Sequence, residues 1–388
     1  MVKETKLHKK NVILLVGIVL LILIVIIKSQ IGALFSILYG VTVDRAINLT
    51  KPEKSSFNIA LLGIGGAKHD GPELSDTIIL ANVNVKQTKV HMFSLPRDLW
   101  FPEASDKINS VYATAQEKNN GISAVENMLN KIMGQKIDYV VVLDFKGFTT
   151  LVDYLDGIDV DVANTLDDYS YPIDGKEEDS CGKSDTEIKE FTATVSAETD
   201  MWDYFSCRYK HVHVEKGKVH MSGETALEFV RSRHGVGIEG SDFARSRRQQ
   251  LVISAIKDKA LSLGVLLNPV KLIGVYNILK DNINTNINVE KIDDFIKLAN
   301  KLKDGQIQNY VIDQGDLSIP RYGLVINPPI SDEYRSKWVL IPRVGNGNFS
   351  EIQKYVTCLL EDSICSVGKI GITTPTPSPS GKVIQKKP

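Results

Sequence analysis

Asp76-Thr-Ile-Ile-Leu-Ala-Asn-Val-Asn84, then Val85-Lys-Gln-Thr88, then Lys89-Val-His-Met-Phe-Ser-Leu95: two apolar, β-branched runs separated by a polar turn read as neighbouring strands. Upstream, Asn58 to Gly63 (NIALLG) is a third such run and ends in the glycine loop Gly63-Ile-Gly-Gly66. Three strands within about forty residues make a sheet nucleus. Downstream the period changes. Within Ile108 to Met133, residues Ile122, Val125, Met128, Leu129 and Ile132 recur at helical intervals. Tyr139 to Leu143 then reads as a central strand, Phe145 to Leu155 as a helix and Ile158 to Val162 as a strand. Strands alternating with helices predict an α/β layered domain.

Leu166 to Lys210 breaks this pattern, being rich in Asp, Glu, Ser and Thr with weak periodicity. It reads as a surface insertion, with a β-hairpin expected around Phe191 to Val195. Core character resumes at Val212 to Val219, and Ser222 caps a helix that runs through Glu224, Leu227 and Phe229. A second helix, capped by Ser241 or Asp242, runs to about Leu261. Asn268 to Lys280 and Val289 to Leu302 are amphipathic helices, Tyr310 to Ile312 and Trp338 to Ile341 are strands, and Phe349 to Leu360 closes the fold.

The chain has 388 residues, 43% of them hydrophobic, and a formal net charge of -1. That length can bury a full core, and the balanced charge argues against a general nucleic-acid binder, which needs a broad basic surface. Val12 to Ile27 is an apolar run interrupted only by Gly17, long enough with Asn11 to cross a bilayer as a helix. Lys3, Lys6, Lys9 and Lys10 precede it and Lys28 follows, so the positive-inside rule puts the N-terminus in the cytoplasm and the rest outside. A cleaved signal peptide is the competing reading; the run exceeds a usual h-region and no clear cleavage site follows. The expected organisation is a basic head (1–10), a transmembrane helix (11–28), a juxtamembrane linker (29–56), a folded domain (57–365, with the insertion at about 166–210) and a disordered Pro/Ser/Thr tail (366–388). All four cysteines lie beyond the anchor, and sequence proximity favours Cys181 with Cys207 and Cys358 with Cys365, free buried thiols being the alternative.

The chemistry concentrates in Phe229 to Gln250, FVRSRHGVGIEGSDFARSRRQQ, which sets Arg231, Arg233, Arg245, Arg247 and Arg248 around a glycine-rich turn. If Val230 to Arg233 is extended, Arg231 and Arg233 share a face. On the following helix Arg245, Arg248 and Gln249 share another, with Arg247 pointing elsewhere. Guanidinium forks converging in this way suit a phosphate or pyrophosphate. A solvated helix face salt-bridged to Glu228, Glu239, Asp242 and Asp258 is the bland alternative; the absence of lysine from the stretch argues against it. A second constellation is Ser75-Asp76-Thr77 opening one strand and Ser94-Leu-Pro-Arg97-Asp98 ending the next. These would share a sheet edge if the intervening turn made an irregular or crossover connection. Asp76 is then a candidate ligand for Mg²⁺, and Arg97 adds a cation.

In combination and order, the single anchor, SDT, SLPRD, Lys107-Ile-Asn109, Val230 to Arg233 (VRSR) and Asp242 to Gln250 (DFxRxxRQQ) resemble the LytR-CpsA-Psr family of cell-wall glycopolymer ligases, over roughly Asn58 to Lys259. The resemblance implies an α/β domain with a central mixed sheet flanked by helices, preceded by one transmembrane helix. It implies a polyprenyl pyrophosphate bound by arginines and Mg²⁺ with its tail in an apolar tunnel, lined in part by the helices beginning near Ile122 and Phe145. It further implies transfer of a lipid-linked glycopolymer onto peptidoglycan through a phosphodiester. By position, Asp76 matches the metal aspartate, Arg97 a catalytic or phosphate-binding arginine, and Arg231, Arg233, Arg245 and Gln249 the head-group set. Arg248 is expected to join that set, and Asp98 to orient an arginine or act as base, with a structural partnership to Arg97 as the alternative. Leu74 stands where many members carry Arg, and Gly65 where a second Asp is usual, with His69 or Asp70 as substitutes. The expected partners are the lipid-linked glycan, peptidoglycan and, through the anchor, the membrane, with no nucleic acid. A polyprenyl-pyrophosphate hydrolase and a non-catalytic lipid-phosphate module are the competing functions.

Overall fold

The computed structural model describes Leu49 and residues 55–66, 71–194, 198–266, 268–288, 291–302, 305–316, 321–361 and Cys365. The basic head, the transmembrane run, most of the linker, His69, Asp70 and the tail lie outside these residues. Among the described residues no helix is long and apolar enough to cross a membrane.

Ser56–Ile64 (β1), Ser75–Asn84 (β2) and Lys89–Ser94 (β3) form an antiparallel meander in which Ala60 faces Leu80 and Leu80 faces Phe93. An ordinary hairpin therefore brings the start of β2 beside the end of β3; the irregular connection expected from sequence is not needed, because antiparallel neighbours always join ends this way. The helical intervals within Ile108 to Met133 fall on two helices, Asn109–Gln116 (α1) and Gly121–Met133 (α2), and Asn119 at φ 55° breaks them apart. Tyr139–Asp144 (β4) leads into Phe145–Tyr154 (α3), whose N-cap Asp144 accepts from the Gly147 amide, and then Ile158–Val162 (β5).

Leu166–Pro172 (β6) is a strand, so the insertion begins later than sequence composition suggests. Asp185–Thr194 (α4) is a helix where a hairpin was expected. Ser184 and Glu187 form a reciprocal capping box, the Glu187 carboxylate accepting from the Ser184 amide at 2.8 Å and the Ser184 hydroxyl from the Glu187 amide at 3.3 Å. Glu198–Tyr204 (α5) follows, and the Cys181–Cys207 bond ties the excursion back to its base. Tyr209–Val214 (β7) pairs with β6, and Gly217–Met221 (β8) with β5.

Gly223–Arg231 (α6) and Asp242–Ala260 (α7) are capped as the sequence predicts, Ser222 accepting from the Thr225 amide and Ser241 from the Ala244 amide. Pro269–Asn282 (α8), Ile283–Thr285 (β9), Ile292–Lys301 (α9), Gln306–Val311 (β10) and Ser350–Leu360 (α10) complete the main elements. Trp338 to Leu340 contributes only a bridge, Leu340 to Leu99, with a two-residue strand at Ile341–Pro342. Cys358 bonds Cys365 beyond α10.

The central sheet has the order β9-β4-β1-β2-β3-β10 and is mixed: β1 runs parallel to β4, and β3 to β10. Its β2 residues are buried on both faces. Ile78 and Leu80 pack with Val125, Met128 and Leu129 of α2 and Ile352 of α10, while Ile79 and Ala81 meet Ile253 of α7. Sandwiched this way, each large aliphatic side chain contributes about 1.5–3 kcal/mol of burial. A second cluster joins Val160, Val212, Phe229 and Val252, locking β5, β7, α6 and α7 together. Gln250 on α7 donates to Ser94 Oγ at the end of β3, at 3.1 Å, fixing that helix over the sheet edge.

Candidate active site

β1, β3, β4 and β10 all end on one edge of the sheet, beside the start of β2. Carboxyl ends of parallel strands leave a crevice there, the usual place for ligands in open α/β sheets. The crevice holds two adjoining cavities of about 210 and 190 Å³ that share Asp76, Thr77, Arg245 and Gln249. Arg97, Arg231, Arg233, His234, Phe145 and Tyr171 complete the first. Ser94, Ser241, Asp313 and their neighbours complete the second. The two sequence constellations, about 150 residues apart along the chain, thus form one wall.

Each cation reaches it by a different device. Arg231 is the last residue of α6 rather than part of an extended segment, because the α6 hydrogen-bond ladder continues until the amide of Ser232 bonds Glu228. Its guanidinium lies over the Phe145 ring at 4.5 Å and 5.5 Å from that of Tyr171, and pairs with Asp174 at 3.3 Å. Burial pushes the Tyr171 hydroxyl pKa well up, so this ring stays neutral beside the cation. Arg233, just past the helix end, is exposed. Arg245 and Gln249, one helical turn apart on α7, close the other side. Gln249 also donates to the Val230 carbonyl, at 3.5 Å.

Arg248 departs from expectation. It is 1% exposed and lines neither cavity, and all three of its side-chain nitrogens are engaged internally. Nε bonds the Phe229 carbonyl at 2.8 Å, Nη2 the Ser232 carbonyl at 2.6 Å, and Nη1 both the Glu239 carbonyl and its Oε2 at 2.8 Å. Burial lowers the Arg248 pKa, opposed by Glu239. Burial would raise that of Glu239, yet hydrogen bonds from Asn164 and Arg248 hold it below the usual range. Arg247 takes the other Glu239 oxygen at 2.6 Å and is partly exposed. So Arg248 is a strut across the glycine-rich loop. A second tie on the loop is Asp168, fully buried on β6, which accepts from Ser232 Oγ at 2.5 Å and from the amides of Arg233 and His234 at 3.2 Å. Asp168 and Tyr171 were not singled out in the sequence, while Glu239 does pair with Arg247 and Arg248 as the salt-bridged alternative had it. The sequence signal that could have found the first is its place two residues after the apolar Leu166, since residues two apart on a strand share a face.

Arg97 donates from Nη1 to Asp76 Oδ1, joining the two upstream motifs across the hairpin. Asp98 is 8% exposed, salt-bridged to Lys107 at 2.6 Å and to Arg97 Nε at 3.7 Å, and lines neither cavity. Its Oδ1 is taken by Lys107 and its Oδ2 lies beside the Arg97 guanidinium, the arrangement that the alternative of a structural partnership with Arg97 calls for. Asp76 offers a hard oxygen ligand on the cavity wall, of the kind that magnesium binds together with waters and phosphate oxygens. Among the described lining residues the carboxylates that fit such an ion are Asp76, shared by both cavities, and Asp313 in the second. Of the apolar helices expected to border a lipid tunnel, α2 is close-packed against the sheet through Val125, Met128, Leu129 and Ile132.

The chain matches the LytR_cpsA_psr family over residues 39–322. It is 28% identical over 244 residues to the polyisoprenyl-teichoic acid–peptidoglycan teichoic acid transferase TagV of Bacillus subtilis, an overlap of 61% of this chain and 51% of that protein. Identity to the transferase TagT of the same organism is also 28%, over 219 residues and 55% of each. The chain spans about half the length of these curated relatives. The crystal structure of B. subtilis TagV superposes with a TM-score of 0.51 at 23% identity, covering 80% of this chain and 98% of that one, so the fold is shared. With the family's extent enclosing both the sheet edge and its arginines, this chain belongs to the LytR_cpsA_psr family.

Proposed function

We propose that this protein is a membrane-anchored phosphotransferase that attaches a polyprenyl-pyrophosphate-linked glycopolymer to peptidoglycan through a phosphodiester and releases polyprenyl phosphate. The observation that carries the reading is one cavity wall holding Arg97, Arg231, Arg233, Arg245, Gln249 and Asp76. The names of the two relatives, both teichoic acid transferases, support it. In the reaction, a peptidoglycan hydroxyl oxygen bonds to the phosphorus nearer the glycan. The bond from that phosphorus to the bridging oxygen breaks, and the hydroxyl proton ends on the released polyprenyl phosphate. Arg231 and Arg233 neutralise charge on the transferred phosphoryl, while Arg97 and Arg245 hold the departing phosphate; phosphoryl transfer is accelerated mainly by such positioning and charge stabilisation. Mg²⁺, when bound at Asp76, would supply further charge neutralisation. Residues 11–28 would hold the chain in the membrane with the N-terminus cytoplasmic and the catalytic domain outside.

The test is to incubate the full-length chain with a labelled polyprenyl-pyrophosphate oligosaccharide, with and without Mg²⁺ and peptidoglycan. Label on peptidoglycan supports the ligase. Release of label without acceptor would establish a hydrolase instead, and binding without turnover a lipid-phosphate module.

A further inference from the structure

On the outer face of the β6–β7 hairpin, away from the arginine cavity, three side chains converge. His211 and His213 are two apart on β7 and therefore project the same way, and Asp167 on β6 lies directly opposite His213 in the antiparallel register. His211 Nε2 and His213 Nδ1 lie 3.0 and 2.7 Å from the same Asp167 oxygen, and the three ligand atoms fall within 4.8 Å of one another. A tetrahedral ion with metal–ligand bonds of about 2.0–2.1 Å sets its ligand atoms about 3.3 Å apart, so small rotations would admit one.

The surroundings have the features that ligating histidines use. Glu215 Oε1 lies 3.1 Å from His213 Nε2, so that a proton on Nε2 leaves Nδ1 turned toward Asp167. The Tyr169 ring stacks on His211 at 4.1 Å and nearly parallel, holding that ring's orientation. Two imidazoles and a carboxylate suit zinc-like ions and not magnesium, which prefers oxygen donors. Half-exposure of His211 and His213 leaves the fourth position open to water.

We propose that Asp167, His211 and His213 bind a divalent transition-metal ion of the zinc class, and that its binding stiffens the strand holding the arginine loop. The coupling is one residue long. Asp167 faces the ion, its carbonyl accepts from the Val236 amide at 2.8 Å, and its neighbour Asp168 faces inward to hold the amides of Arg233 and His234. An ion on the outer face therefore restrains the same stretch of backbone that sets Arg233. This site does not depend on the transferase reading.

The experiment titrates the untagged full-length chain with Co²⁺, read by the visible absorption of a four-coordinate ion, and then displaces it with Zn²⁺. The expected result is one ion per chain. Affinity should fall by at least about 10-fold in His211→Ala and in His213→Ala, and by about 10- to 100-fold in Glu215→Gln. His220→Ala, which removes a comparable exposed histidine paired with Asp159, should leave it unchanged. All four positions are on the surface, and matched unfolding temperatures would confirm that the variants fold. Absence of a Co²⁺ signal, or an equal signal in the doubly substituted His211→Ala/His213→Ala chain, overturns the site. Hydrogen exchange at the Arg233 and His234 amides should slow on adding Zn²⁺; unchanged exchange with metal bound overturns the coupling.

Discussion

Replacing Arg248 by Ala should unfold the protein more readily before it alters the chemistry. The substitution removes four hydrogen bonds, to the carbonyls of Phe229, Ser232 and Glu239 and to the Glu239 carboxylate. It strands a carboxylate that is 4% exposed with only Asn164 and Arg247 as partners. Removing one member of a buried ion pair costs about 3–5 kcal/mol, since the desolvated partner stays behind. For a domain of this size each kcal/mol moves the midpoint by about 2–4 °C, so a drop of about 10 °C is expected. Thermal unfolding by circular dichroism, run beside the transfer assay, reads both consequences. Glu239→Gln in the Arg248→Ala background should cost less than the two single changes added, because the stranded charge is then gone. A variant lacking Arg248 that melts within about 2 °C of the parent yet no longer binds lipid pyrophosphate would refute the strut and return Arg248 to the ligand set.

Arg233→Ala should behave in the opposite way, leaving the midpoint within about 2 °C and lowering transfer by about 10- to 100-fold, the worth of one charge-assisted contact; an unchanged rate would remove it from the site. Asp168→Asn replaces a buried acceptor of three backbone amides, those of Ser170, Arg233 and His234, by a group with half the acceptor capacity, so a loss of about 1–3 kcal/mol and faster exchange at the Arg233 amide are expected. Because the Glu239 carboxyl is held below its ordinary pKa, its contribution is present above the unfolded value and lost as pH falls through the folded one. Acid unfolding of Glu239→Gln should accordingly be less steep than that of the parent. Asp76→Ala and chelation of Mg²⁺ should each depress turnover, and Mg²⁺ should rescue the chelated parent but not the variant; rescue of both would place the ion elsewhere.

How far the sequence carries the argument differs from element to element. The apolar runs at Asn58, Asp76, Lys89 and Tyr139 became four adjacent central strands because a strand buried on both faces has few sequence alternatives. Ser222 and Ser241 announced their helices, being hydroxyls placed just before apolar periodicity. The excursion after Leu166 was less legible. There β6 and β7 pair across about forty residues, a non-local contact that periodicity does not encode. Its helix α4 did carry a local signal in Ser184-Asp-Thr-Glu187, which the acidic composition obscured. Among the arginines, spacing placed Arg245 and Gln249 on one helix face, and both line the cavity. The same argument sent Arg248 there too, since a helical wheel does not show that Glu239 waits on the inner side. Asp98 was ambiguous in sequence for a related reason: its partner Lys107 belongs to a motif nine residues on.

The two ties on the glycine-rich loop bear on affinity as well as on shape. Gly235, Gly237 and Gly240 would ordinarily give the segment after Arg233 wide conformational freedom. Arg248 clamps it from α7 and Asp168 from β6, so the entropy of ordering this segment is lost when the chain folds. If Arg233 serves the proposed head group, the ligand would find the backbone beneath that side chain already ordered and would not have to immobilise it, which lowers the entropic cost of a contact on an exposed loop.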